Sequence, residues 1–310
     1  MTDPVTAPEV YVSPPDQFFR LDVTERRRIL ERVADGGLDG VFYPDHVSFR
    51  NGSGMDGLIM LAGLSQLHPT LGVGVGVYLL PLRHPVLVAR QLISLWELAP
   101  GRISFGVGVG GEDRHEMVSC EVDPRTRGRR CDEALGLLNP LLAGSTVSHQ
   151  GEFFHLDEVC LKPVPEPSVP IYVGGRSNAA VTRVARFGQG WIAAWCSVDR
   201  FRTAVADCER QAAELGRGDV RWHHQLQPWV GLAANRDQAR AAVAETMQRF
   251  YGLPFEAFER YVPYGTVPEV AAFLRPYVAA GAARLNVTAC VPPGDDAVDA
   301  AAQLKVALSG

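Results

Sequence analysis

Short apolar runs along the chain alternate with longer segments in which apolar residues recur every three or four positions. The short runs are Glu9–Val12, Gly40–Tyr43, Thr70–Val77, Arg102–Val107, Pro170–Val173, Gly190–Ala194, Gln225–Leu232 and Arg284–Thr288. They are rich in β-branched and aromatic residues and bounded by Gly, Pro or Asp, as buried strands are. The longer segments read as amphipathic helices: Thr24–Asp35, Met55–Gln66, Pro85–Leu98, Thr126–Leu142, Asn178–Phe187, Asp199–Leu215, Arg236–Phe250, Pro268–Ala280 and Asp295–Leu308. Several carry start signals, among them Ser177-Asn178, Asp199, and Pro268 with Glu269.

Strands alternating with helices predict parallel βαβ units. Eight repeats suit an α/β fold closed as a (β/α)8 TIM barrel with loop insertions, whose site lies at the carboxyl ends of the strands. An open doubly wound sheet is the rival reading. No Ser/Gly/Pro linker divides the chain, so residues 1–310 read as one domain. Thr146–Pro170 reads as a short hairpin and loop. Asp45–Gly54, Gly108–Arg125 and Tyr251–Gly265 are long connections able to wall or cover a site.

Composition narrows the classes. The 310 residues carry a net charge of −5, which lacks the basic footprint of a nucleic-acid binder. Lys162 and Lys305 are the only lysines; the arginine excess reads first as codon usage. Six cysteines are scattered without a CxxC pair, which excludes a zinc ribbon and argues against a disulfide framework. No apolar run nears membrane-spanning length and Met1–Pro15 lacks a signal-peptide core, so a cytoplasmic protein free of membranes is expected.

Three segments can carry chemistry. Asp45-His46 follows the second strand, where a histidine can exchange a proton near neutral pH and an adjacent carboxylate can fix its tautomer; a capped turn with a satisfied histidine is the plainer alternative. Gly106–Gly111 contains GxGxxG, but Glu112-Asp113 put carboxylates where a pyrophosphate would sit, so a dinucleotide fingerprint is disfavoured. Gly108 and Val109 more plausibly let a flat ligand approach the backbone, a tight barrel corner being the alternative. Gly174-Gly175-Arg176-Ser177 joins a strand to a helix and suits a phosphate, although a glycine turn with a serine cap needs no ligand. His84, His115 and Glu112 fall near strand ends without HxH or HExxH spacing, and no metal site is expected. Phe49, Met55, Trp195, Tyr261 and Tyr264 hint at an apolar or aromatic guest.

The chain resembles the bacterial luciferase-like monooxygenase superfamily, in particular its branch that uses the deazaflavin coenzyme F420. The resemblance rests on Tyr43-Pro44-Asp45-His46, on His84–Asp113, and on VPIYVGGRSNAAVTRVARFGQGW from Val169 to Trp191, and spans about residues 9 to 195. It implies a barrel that binds a reduced flavin or deazaflavin, with a non-proline cis bond at Val75-Gly76 behind the ring. It further implies Asp45 and His46 beside the deazaflavin, His46 as proton donor, Gly174 to Ser177 on the phosphate, and a homodimer. Gly111 stands where some members carry a glutamate, with Glu112 one step on. The expected activity is hydride transfer between F420 and a small organic substrate; an FMN-dependent monooxygenase is the alternative.

Overall fold

The computed structural model describes residues 7–15, 17–50, 52–111 and 113–309. Glu112, weighed above as an acid, lies outside them. In chain order the elements are β1 (Glu9–Val12), α1 (Val23–Asp35), β2 (Gly40–Tyr43), β3 (His46–Phe49), β4 (Ser53–Met55), α2 (Gly57–Ser65), β5 (Gly72–Leu79), α3 (Pro85–Leu98), β6 (Ile103–Gly108), α4 (Arg114–Ser119) and α5 (Arg127–Leu142). There follow β7 (Val147–Gln150), β8 (His155–Val159), β9 (Ile171–Gly174), α6 (Asn178–Phe187), β10 (Gly190–Ala193), α7 (Val198–Glu214), β11 (Gln225–Leu226) and β12 (Trp229–Leu232). The chain ends with α8 (Arg236–Tyr251), β13 (Tyr264–Gly265), α9 (Val267–Ala279), β14 (Arg284–Cys290) and α10 (Ala297–Ser309).

The parallel ladder β1-β2-β5-β6-β9-β10-β11-β14 closes on itself through β1 and β14, giving an eight-stranded barrel. Ring closure removes the open edges that a doubly wound sheet would leave. The helices form because their caps and apolar faces agree. Asp22 accepts the Thr24 and Glu25 amides at the start of α1, and Thr266 and Glu269 make a capping box on α9. On α6, Ala180, Val181, Val184 and Ala185 are buried together on one face.

Two expected elements are divided. Met55 belongs to β4, so the following helix starts only at Gly57, after the Asp56 cap. The strand expected over Gln225–Leu232 is interrupted at Gln227-Pro228, where proline has no N–H to give the ladder. Its register survives the interruption: Leu226 faces Leu285 and Trp229 faces Thr288. The long connections are partly ordered. Asp45–Gly54 holds the β3–β4 hairpin, Gly108–Arg125 holds α4, and Tyr251–Gly265 holds two 3-10 turns and β13.

The amino-terminal end of the barrel is closed by side chains. Arg284, 6% exposed, donates from Nε to Glu9 (2.7 Å) and from Nη1 to Ser104 Oγ (2.6 Å), and lies over the Tyr11 ring. One layer up, Asn286 donates to Gln225 (2.9 Å). Burial alone would raise the Glu9 carboxyl, but His223 and Arg284 overcome it and hold it at about 2.

Candidate active site at the carboxyl ends of the strands

His46 opens β3 directly after β2 and Asp45, at the carboxyl mouth of the barrel. Its ring stacks on Phe49 at 4.2 Å, and Phe49 in turn stacks on Phe250 of α8 at 5.4 Å. Nδ1 lies 3.3 Å from Glu116 Oε2, and Nε2 makes no hydrogen bond among the described residues.

Asp45 does not turn toward its neighbour. Its side chain is completely covered and accepts the Gly57 amide (2.8 Å), the Leu79 amide (2.9 Å) and both Nη atoms of Arg83 (2.6 and 2.8 Å). Four donors on two oxygens, with no exposed surface, make Asp45 the anchor that ties the end of β2 to α2 and β5. It neither touches His46 nor offers an edge to a ligand.

The carboxylate beside His46 is Glu116, 3% exposed, on α4. Oε1 accepts the amides of Val47 and Ser48, while Oε2 faces the imidazole. Asp113, which caps α4, also accepts the Arg50 amide (2.7 Å). The two carboxylates clasp the β3–β4 hairpin to α4. Sequence reading passed over Glu116, seventy positions away; the one available signal was its place in the first turn of a short capped helix within the Gly108–Arg125 connection.

The non-proline cis bond is Gly76-Val77, one residue beyond the Val75-Gly76 position expected from the resemblance. The register of β5 against β6 shifts between Val75 and Tyr78, so the irregularity begins only after Val75 has completed its pairing. Val75 itself is buried. Val77 is the partly exposed residue here, and it explains two glycines. A Cβ on Gly108 would collide with Val77, and one on Gly174 would lie 2.7 Å from it. Both glycines therefore seat Val77 as the floor of the mouth rather than lying bare to a ligand. Val109, just past β6, is half-buried against the main core.

Gln227 completes the floor. Strands β5 and β11 are four places apart in a ring of eight, hence opposite each other, and Gln227 reaches across the lumen to donate from Nε2 to Gly76 O (3.0 Å). That bond orients the amide, because only its NH2 can face a carbonyl. Gln227 Oε1 and Trp195 Nε1, just past β10, are both buried without a hydrogen-bond partner. Such atoms cost stability unless something pairs them.

The turn from β9 to α6 is as the sequence suggests. Gly175 has φ +125°, Trp191 Nε1 donates to its carbonyl (2.7 Å), and Ser177 caps α6 through the Ala180 amide. Gly175, Arg176 and Ser177 are exposed, and the Arg176 guanidinium sits 5.4 Å from the Trp195 ring centre. An exposed helix start with an adjacent guanidinium suits an anion.

Above the mouth lies a second apolar cluster, separate from the main core. Val243, Met247, Tyr251, Phe255, Phe258 and Val262 are buried there, with Trp195, Trp229 and Phe250 packed against them. Cavities of about 480 and 560 Å³ lie elsewhere, one beside Trp96 and Pro163, the other beside Arg236 and Phe273. Neither is lined by His46, Val77 or Gln227. Among the described residues, no three His, Cys, Asp or Glu side chains are grouped to hold a metal ion, and no helix is long and apolar enough to cross a membrane.

A closed parallel barrel with a bulged third strand and a histidine at its carboxyl mouth defines the architecture. The luciferase-like monooxygenase family model matches residues 7–294, and the chain belongs to that family. It is similar to the F420-dependent glucose-6-phosphate dehydrogenase of Microbacterium testaceum, 29% identical over 161 residues, which are 50% of this chain and 48% of that one. Limonene 1,2-monooxygenase of Rhodococcus erythropolis is 29% identical over 191 residues, 60% of this chain and 49% of that one. The chain thus spans about half the length of the curated relatives it matches. In fold it is similar to an F420-dependent secondary alcohol dehydrogenase solved with an F420-acetone adduct, with a TM-score of 0.83 and 17% identity, covering 98% of this chain and 99% of that one.

Proposed function

We propose that the chain is an oxidoreductase that uses F420 and passes a hydride between that coenzyme and a small organic substrate. The observation that carries the reading is His46, whose Nε2 is unpartnered at the mouth while its other nitrogen is held by a buried carboxylate. When bound, the deazaflavin would supply a two-electron hydride carrier that reacts sluggishly with oxygen.

The residues present fit such a group. Gly76 and Val77 would back the ring, Gln227 Oε1 and Trp195 Nε1 offer a buried acceptor and a buried donor, and Gly175 to Ser177 would take a phosphate. His46 would hold and release the proton at the substrate oxygen, within hydrogen-bond reach. The aromatic strip of Phe49, Phe250, Trp229 and Trp195 would exclude water and favour an apolar substrate body.

Equilibrium fluorescence titration of the purified protein with F420 and, separately, FMN tests the reading. Micromolar F420 binding with FMN at least about tenfold weaker is expected, the size of effect that one good ring contact provides. Similarity to a limonene monooxygenase favours an FMN-dependent oxygenase as the second reading. Tight FMN binding, with oxygen uptake and an oxygenated product, would replace the first reading by the second.

A further inference from the structure

We propose that Glu116 is the positioning residue for His46: it fixes the imidazole in its Nδ1–H tautomer and leaves the Nε2 lone pair as the proton acceptor at the mouth. The proposal rests on the reading above that His46 exchanges a proton with substrate. The role assigned by sequence adjacency to Asp45 falls instead to a residue on another element, because every Asp45 oxygen is taken by Arg83 and two amides.

The geometry favours one arrangement of protons. Glu116 Oε1 accepts two backbone amides, from Val47 and Ser48, so it cannot carry a proton toward them. Oε2 faces only Nδ1, at 3.3 Å. Two backbone amides donating to a buried carboxylate suit its ionised form. The imidazole must then present N–H at Nδ1, and in the neutral ring this makes Nε2 the acceptor. In the oxidising direction Nε2 would take the hydroxyl proton of the substrate while the hydride goes to the deazaflavin; in the reducing direction it returns that proton to the carbonyl oxygen. The same carboxylate ties the hairpin backbone on either side of Val47, so the ring is aimed as well as protonated.

Glu116→Gln separates the two roles. Its carbonyl can still accept the Val47 and Ser48 amides, so the hairpin stays anchored. Its NH2 then faces His46 Nδ1 and forces the opposite tautomer, with N–H at Nε2. The test is ¹⁵N NMR of histidine-labelled protein without any coenzyme, with the His46 signal assigned from His46→Gln, followed by F420 titration and turnover. We expect the Nδ1–H tautomer in the wild type and the Nε2–H tautomer in Glu116→Gln. F420 affinity should be unchanged within about threefold and kcat should fall about 100-fold or more, as a wrong tautomer does in other histidine dyads.

An Nε2–H or evenly mixed His46 in the wild type would overturn the proposal, as would Glu116→Gln turning over within about threefold of wild type. The wild-type spectrum decides the tautomer even if the variant does not fold. Because it needs no coenzyme, it is independent of whether F420 binds, so failure of the functional reading is told apart from failure of this one.

Discussion

The two ends of the barrel use their polar groups differently. At the amino end, Arg284 is buried and spends its donors on Glu9 and Ser104, with Tyr11 beneath the guanidinium. At the carboxyl end, His46 Nε2, Gln227 Oε1 and Trp195 Nε1 have no hydrogen-bond partner among the described residues. Glu9, Tyr11, Ser104 and Arg284 sit on barrel strands, whereas Gln227 and Trp195 lie just past theirs and His46 on the β3–β4 hairpin. The amino end is not fully paired either, since His223 Nε2, His224 Nε2 and Gln225 Nε2 are buried without a hydrogen-bond partner among the described residues; what sets the ends apart is the buried ion pair at one and the histidine at the other. The ion-paired floor at the amino end contributes to stability, whereas the unpaired mouth groups cost stability and are the ones the proposed function would use.

If the ends divide the work in this way, substitutions at each should fail in different assays. The largest effect is expected from His46→Ala. Turnover should fall about 10²- to 10⁴-fold, the range for loss of a general acid-base, while unfolding free energy in urea drops by only about 1–2 kcal/mol from the lost Glu116 contact. Equal losses in both assays would break the comparison.

Arg284→Met should show the reverse. Breaking a buried ion pair costs about 3–5 kcal/mol; Glu9 is 43% exposed, so about 2–3 kcal/mol is expected in a urea melt, with F420 affinity unchanged. A weakened affinity would mean that floor and mouth are coupled.

A smaller effect is expected at the seat of Val77. Gly174→Ala should cost about 1–3 kcal/mol and weaken F420 binding, since the new methyl meets Val77 Cγ1 at 2.7 Å. Adding Val77→Ala should recover much of the stability, and a calorimetric comparison of the single and double variants would show whether the clash is the cause.

The smallest effect is the pH dependence of the floor. Folding lowers the Glu9 carboxyl from 4.5 to about 2, so its contribution is complete above pH 4.5 and is lost as the pH falls toward 2. Urea midpoints at about pH 5 and about pH 3 should differ less in Glu9→Gln than in the wild type. An identical pH dependence in the two would remove Glu9 from the floor's account.

Periodicity made most of the barrel legible, because eight apolar runs spaced by amphipathic segments have few ways to bury both sets of faces. It did not reveal the interruption at Gln227-Pro228, since a proline inside an apolar run leaves the hydrophobic pattern intact while removing one ladder donor. The turn at Gly174 to Ser177 was legible because glycine placement and a serine cap are local signals. The site at His46 was legible only in part. Adjacency suggested Asp45, but a residue beside a strand end can point to either side, and the half-buried Arg83 captured this one.

By itself, the chain's order of residues determined the fold class, the mouth histidine and the helix-start turn, because each depends on local period, capping or glycine placement. The tertiary structure alone decided that Glu116 partners His46 across seventy residues, that Val77 fills the space left by Gly108 and Gly174, and that Gln227 spans the lumen to Gly76. Those contacts join opposite or distant strands, and their geometry exists only once the ring of strands has closed.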